Sequence, residues 1–362
     1  MYKLIKRVAR TVLSEIWMNY QYLFRRKQVR LSKTKTNIIL FGIPNHPNLG
    51  DQAIVSAERQ FIADNFPNIN LVMIDETDTA SFLWGVKMAA TSHDLVMYHG
   101  GGNIGSLYPL SERNRRFLIK KLKQQRVVIF PQSIFFEDNM VGKYEQRMSS
   151  RIYNNHPKLV LTVRENYSLE RSQAIFSTVK CVLTPDIVFS MIDTLDSSSV
   201  HKPFRKILLV LRGDDESCLT AQFKAELAAA LDDRFKLVKK TDTMAGEPTN
   251  TIVINDNNRA RLLAEKLAEF AWADLVVTDR LHGTLFSILT GRPCLVFANN
   301  NHKIESTIST WLQGARHIKL INRYSVQVIE KSISELEHQS QDNLHEVKQK
   351  YGSLKKAIQG QL

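Results

Sequence analysis

The stretch "DLVVTDRLHGTLFSILTGRPCLVF", residues 274–297, sets the architecture. Its first part, DLVVT at 274–278, is an unbroken apolar run that reads as a buried parallel strand rather than an alternating, half-solvated one. A helical apolar pattern follows from Leu285, and a second strand-like run, CLVFA at 294–298, comes after GRP. Strand, helix and strand in that order belong to a doubly wound α/β sheet. Between the first strand and the helix stand Asp279, Arg280, His282 and Gly283. In open parallel sheets ligands bind outside the carboxyl ends of the strands, which gives these residues functional interest.

The same alternation extends in both directions. NIILFGI (37–43), LVMID (71–75), DLVMYHG (94–100), RVVIF (126–130), LVLTV (159–163) and CVLT (181–184) read as strands of one sheet. KILLVL (206–211), FKLV (235–238), TIVI (251–254), DLVVT and CLVFA form a second series. The polar, Ser-rich segment 193–204, closed by a Pro, reads as the linker between them. The expected fold is therefore α/β, with two doubly wound Rossmann-like domains facing a cleft. The expected boundaries are an arm at 1–35, a first domain at 36–195 and a second at 205–362. The tail from Ser325 onward reads as polar helix that packs back on the first domain.

The chain has 362 residues, with 49 Lys and Arg against 36 Asp and Glu, a formal charge of +13. Residues 1–35 hold ten of the basic residues and one acid, Glu15, so the body is only mildly basic. Within the arm Leu4, Val8, Val12, Ile16, Tyr20 and Phe24 recur every four residues, with Leu13 and Trp17 beside them. This is an amphipathic helix. Two readings stay open for it: a helix lying on an anionic membrane surface, or one docked on the body with a solvated basic face. Arg10 and Glu15 interrupt the pattern of a signal peptide, and no run approaches the roughly 20 apolar residues of a membrane span. Cys181, Cys218 and Cys294 lie in apolar patterns without a CxxC, which fits a cytoplasmic protein, peripheral at most on the inner face of the membrane. The charge is concentrated in the arm, and nucleic acid is not expected as a partner.

Residues following each strand supply the candidate site. PNHPNLGDQA comes after the first, with Asn48, Gly50 and Asp51 opening a helix. Asp51 is either an N-terminal capping acid or a base toward a sugar hydroxyl. GGGNIG follows the third, and Gly100, Gly101, Gly102 and Asn103 let a ligand approach the main chain closely. Gln132 in PQS, Arg164 and Arg212 follow further strands. Guanidinium forks bind carboxylate or phosphate in pairs of hydrogen bonds, so Arg164, Arg212 and Arg280 are candidates to grip a small polyanion. If the chain stays extended past Thr278, Arg280 and His282 point to one side, Gly283 permits a turn and Thr284 caps the next helix. His282 is then placed to move a proton on the bound anion, with a carbonyl-bonded structural His as the alternative. P-loop, GxGxxG, HExxH, GxSxG and DxD patterns are missing, and the acids at 214 and 215 read as a solvated loop. No metal ligands are expected.

Taken together, NLGDQA, GGGNIG, FPQSI, TVRE, TPDIVF and DRLHGTLFSILTGRPCLVF resemble the polysaccharide pyruvyl transferase family, from about Ile38 to Phe297. The resemblance implies a fold like the two-domain (GT-B) glycosyltransferases and phosphoenolpyruvate as donor substrate, with no cofactor. It implies donor-site roles for Arg212, Arg280 and His282, and cleft-loop roles for NLGD and GGGNIG. The acceptor would be a sugar in an exopolysaccharide or cell-wall polysaccharide precursor, carried on a lipid. Asp279 stands where many relatives have a small residue. Two other readings compete: a glycosyltransferase using a nucleotide sugar, and a non-catalytic, membrane-associated sugar-binding protein.

Overall fold

The computed structural model describes residues 1–192, 203–214, 216–246, 252–339 and 344–362. Most of the expected linker, 193–204, lies outside the described residues, as do position 215 and the first residue of TIVI. The chain divides into two compact units, Met1–Asn45 with Ile54–Ile187 and Tyr351–Leu362, and His46–Ala53 with Val188–Lys350.

The first unit is built on the parallel strands β1 (Asn37–Ile43), β2 (Asn70–Asp75), β3 (Leu95–Tyr98), β4 (Gly101–Gly105), β5 (Val127–Phe135), β6 (Leu159–Val163) and β7 (Lys180–Leu183). Their order is β2-β1-β3-β5-β6-β7, with β4 paired to the far end of β5. The second unit carries β8 (Lys206–Val210), β9 (Leu237–Thr241), β10 (Leu275–Thr278), β11 (Cys294–Phe297) and β12 (Ile318–Ile321), ordered β12-β11-β10-β8-β9. Every residue of β1, β3, β6, β10 and β11 is buried, which is why these segments read as continuous apolar runs. Two doubly wound α/β units are thus present, as the periodicity predicts.

Several details differ from expectation. Residues 252–254 of TIVI form no strand, and Ile318–Ile321, too short to stand out from the helices around it, does. GGNIG is itself a strand, with Gly101 opposite Gln132 and Gly105 opposite Phe135. Segment His46–Ala53 groups with the second unit because its main chain pairs there. Leu49 N donates to Thr243 O at 2.8 Å, and Ala245 N to Pro47 O at 2.8 Å. The last twelve residues group with the first unit: the Tyr351 hydroxyl donates to Asp186 O, and Ser353 Oγ donates to Leu183 O at 3.0 Å.

The arm is one helix, Tyr2–Phe24, held on the first unit by Thr11, Met18 and Tyr22. Arg7 Nη1 lies 3.2 Å from the fully buried Glu145, which also meets Arg116 at 2.8 Å. The charged run SERNRR, which resembles a solvated helix face, is buried beneath these contacts. Among the described residues no helix is long and apolar enough to cross a membrane.

Candidate active site

In the second sheet, β8 is followed by β9 on one side and β10 on the other, so the carboxyl ends of β8 and β10 form the switch point where ligands bind in such folds. Val210 and Thr278 are paired in register there. Arg212 and Arg280 each stand two residues beyond those partners. The Thr278 hydroxyl donates to Val210 O at 2.7 Å and accepts from Arg280 N at 3.0 Å, tying the two strand exits together.

Asp279 fixes the same junction from below. It is buried, accepting from Arg212 N at 2.8 Å and from Ser217 Oγ at 2.7 Å. Burial raises its pKa, against the Arg212 amide and the Ser217 hydroxyl, which lower it. The residue therefore braces the main chain of Arg212.

The two guanidiniums hold carboxylates in their forks. Arg212 is buried, with Nε 2.6 Å from Asp214 Oδ1 and Nη2 3.0 Å from Asp214 Oδ2, while Nη1 meets Glu216 at 2.5 Å. Arg280 grips Asp242 through Nε at 2.5 Å and Nη2 at 2.6 Å, and its Nη1 lies 3.8 Å from Asp214 Oδ2. Burial raises the Asp214 carboxyl, but Arg212, the Glu216 amide and Arg280 together hold it below its usual value. Asp214 is 50% exposed and Asp242 34%, so both can leave their forks for solvent at little expense. In sequence Asp214 reads as a solvated loop, and the expected strand FKLV ends four residues before Asp242; β9 runs on to Thr241 and brings Asp242 to a strand end.

His282 departs from the extended-chain argument. The helix Leu281–Leu289 begins directly after Arg280, four residues before Leu285, so Arg280 is its N-cap and His282 lies in its first turn. Thr284 lies inside the helix, its hydroxyl donating to Arg280 O at 3.3 Å, and does not cap it. Gly283 serves close packing instead of a turn: a Cβ there would overlap the Thr278 hydroxyl. The imidazole of His282 lies over Gly50, where any Cβ would fall on the ring. This contact brings NLGD and RLHG, 232 residues apart in number, to one place.

Around Gly50 the loop is self-braced. Asn48 Oδ1 accepts from Gly50 N at 3.0 Å, and Asn48 Nδ2 donates to Asp51 Oδ2 at 2.8 Å. Asn48 is therefore the capping side chain, and Asp51 holds it in place from the first turn. His46 Nε2 lies 3.6 Å from the same Asp51 oxygen. Gln52, fully buried, accepts from Arg259 Nε at 2.7 Å. The second unit thus gathers Asn48, Gly50 and Asp51 with His282, and Arg212 with Arg280.

The remaining candidates belong to the first unit. Arg164 is not with the other arginines: it is buried against Asp186 at 2.5 Å and Ser133 Oγ at 2.7 Å, with Glu165 at 3.6 Å. A strand-end position marks both ligand-facing and structural guanidiniums, and the acid in TPDIVF is what distinguishes this one. Gln132 is also fully buried, bonding His99 O at 2.8 Å and Asn103 N at 3.3 Å, and so props β4 instead of facing a ligand. Asn103 Oδ1 accepts from Arg115, itself paired with Glu112 at 2.5 Å. Gly100 N donates to Glu58 at 2.7 Å, and the other oxygen of Glu58 meets His99 Nδ1 at 2.8 Å. A Cβ on Gly100 would come within 2.9 Å of Pro131 O, so the glycine there answers close backbone approach. Gly101 and Gly102 lie in β4 itself.

Comparison with known proteins bears on this arrangement. The family model described as polysaccharide pyruvyl transferase matches residues 48–301, from the capping Asn48 to past β11. General stress protein 30 of Bacillus subtilis is 30% identical over 334 residues, covering 92% of this chain and 91% of that protein. Pyruvyl transferase 1 of Schizosaccharomyces pombe is 30% identical over 288 residues, covering 76% and 70%. Among solved structures, a Klebsiella pneumoniae protein of uncharacterised function superposes with a TM-score of 0.53 at 18% identity, covering 86% of this chain and 98% of that one, a likeness of fold alone. With the match spanning both NLGD and RLHG, the chain belongs to the polysaccharide pyruvyl transferase family.

Proposed function

We propose that the second unit binds phosphoenolpyruvate and that the protein transfers its pyruvyl group onto two hydroxyls of a sugar, forming a ketal and releasing phosphate. One observation carries the reading: Arg212 and Arg280, at the switch point of the sheet, already hold acid groups in forks that share Asp214. Phosphoenolpyruvate brings a carboxylate and a phosphate, the two groups such forks bind best. Its acid groups would take the places of Asp214 and Asp242, and those side chains would turn outward.

His282, on the helix turn that Arg280 caps, is the proposed general acid. It gives a proton to the methylene carbon, which becomes a methyl group, and C2 becomes oxocarbenium-like. One sugar hydroxyl adds to C2 and loses its proton, which restores the imidazolium. The C2–O bond to phosphate then breaks, and the second hydroxyl closes the ring, its proton leaving with phosphate. Asp51 and Asn48 stand beside Gly50, under the imidazole, and are proposed to orient the acceptor hydroxyls. Gly100, Gly101, Gly102 and Asn103 are proposed as a sugar-contacting surface on the first unit. The reaction requires no redox cofactor. The acceptor is proposed to be a polysaccharide precursor on a lipid carrier, made in the cytoplasm where the donor is available.

The test is incubation with phosphoenolpyruvate and model glycosides, following phosphate release and product mass. A ketal contains a new methyl group, whereas a vinyl ether keeps the methylene. Phosphate release that persists unchanged in His282→Ala, or stabilisation by nucleotides with none by phosphoenolpyruvate, overturns the proposal.

A further inference from the structure

The arm helix turns its more polar side to the body. Arg7, Thr11, Met18 and Tyr22 face inward, while Ile5, Val12, Leu13, Ile16, Trp17 and Phe24 are exposed, Leu13 by 65% and Phe24 by 74%. These outward positions are spaced by seven, one, three, one and seven along the helix and form one continuous apolar stripe. Its aromatic rings are ordered against each other: Trp17 stacks on Tyr20 at 5.5 Å, and Tyr20 lies 5.6 Å from Phe24. A helix that anchors Met18 and Tyr22 in the core yet leaves a longer apolar stripe in water presents more apolar surface than a structural prop requires.

Charge lines both edges of the stripe. On one edge the helix itself carries Lys3, Lys6 and Arg10, all exposed. On the other edge, where the helix has Glu15 and Asn19, the body supplies the cations. Lys121 Nζ donates to Asn19 Oδ1 at 2.8 Å, and Lys120 lies 3.9 Å from Glu15. Beside them is a pocket of about 310 Å³, lined by Lys120, Lys123 and Arg151 together with Glu15 and His156.

We infer that this face of the first unit is a docking surface for an anionic phospholipid bilayer. The stripe enters the acyl boundary, Trp17 and Tyr20 sit at headgroup depth, and the two basic edges, one from the arm and one from the body, meet lipid phosphates. A second copy of the chain fits poorly, because a two-fold pairing of stripes would set basic edge against basic edge. The helix is already folded and anchored through Arg7 and Glu145, so docking does not have to order it. The inference is independent of the donor reading, since binding is measured without turnover.

The experiment is co-sedimentation of the full chain with phosphatidylcholine vesicles, with and without phosphatidylglycerol. Wild type is expected to pellet with the anionic vesicles only. Leu13→Glu with Trp17→Glu should abolish pelleting, and Lys120→Glu with Lys123→Glu should weaken it about tenfold or more. All four side chains are exposed, so unchanged melting temperatures should accompany both variants. Failure of wild type to pellet, pelleting that survives Leu13→Glu with Trp17→Glu, or a dimer in solution that this variant dissociates while vesicles are ignored, each overturns the inference.

Discussion

Asp214 Oδ2 lies 3.0 Å from Nη2 of Arg212 and 3.8 Å from Nη1 of Arg280, so one half-exposed carboxylate touches both guanidiniums of the proposed donor site. An acid that stands where the donor's acid would stand is a competitor. Asp214→Asn should therefore tighten phosphoenolpyruvate binding, by about 2- to 5-fold, the range of one exposed ion pair. Titration calorimetry checks the direction, and weaker binding in this variant would make Asp214 a support for Arg212 instead.

Arg280 uses two nitrogens of its fork on a single carboxylate, at 2.5 and 2.6 Å. A lysine keeps the charge but cannot make that paired contact. Arg280→Lys should raise KM for phosphoenolpyruvate about 10- to 100-fold, with a smaller change in kcat, consistent with losing one charge-assisted bond.

Gly50 offers a test of His282 that keeps the histidine in the chain and disturbs only its position. Because a Cβ at position 50 falls on the ring, Gly50→Ala must displace His282 or the loop. The overlap should cost about 1–3 kcal/mol of stability. It should also lower kcat, while His282→Gln lowers kcat by about 100-fold or more with little loss of stability. Full activity in Gly50→Ala, with loss of stability, would mean that the loop yields and the imidazole keeps its place; full activity in His282→Gln would remove the imidazole from the reaction.

Asp94 sets an acid limit on the first unit. Burial raises its pKa, but the Thr91 amide at 2.8 Å, the Asn37 side chain at 2.7 Å and the Asn37 amide at 2.8 Å lower it further, so it ends below its usual value. A carboxylate with a depressed folded pKa contributes stability that is complete above its unfolded value, near 3.8, and is lost as pH falls through the folded one. Asp94→Ala should lower the melting temperature at neutral pH, by about 1–3 kcal/mol of stability, and should flatten the decline below pH 4. A decline equally steep in the variant would assign it to other carboxylates.

What the sequence revealed follows from burial. Strands enclosed on both faces are apolar throughout, so β1, β3, β6, β10 and β11 were legible, and with them the two sheets. Strand ends were legible too, which located Arg212, Arg280 and His282. Side-chain pairing was not. Arg164 and Arg212 look alike in sequence, since each follows an apolar run and precedes a small or acidic residue. They differ in partners distant in the chain: Asp186 encloses one, and the exposed Asp214 holds the other loosely. The helix start at Leu281 was hidden because Gly283 suggests a turn, whereas its lack of a side chain answers the Thr278 hydroxyl. For the arm, periodicity identified the helix but left open which face meets the body.

Strand β4 narrows how relatives of this protein can diversify. Its edge is already hydrogen-bonded to the far end of β5, with Ser106 N donating to Phe135 O at 3.1 Å, and a Cβ on Gly105 would overlap that same carbonyl oxygen. Insertions there would unzip a sheet, so change at β4 should come by exchanging side chains at fixed positions, and loop length should vary elsewhere.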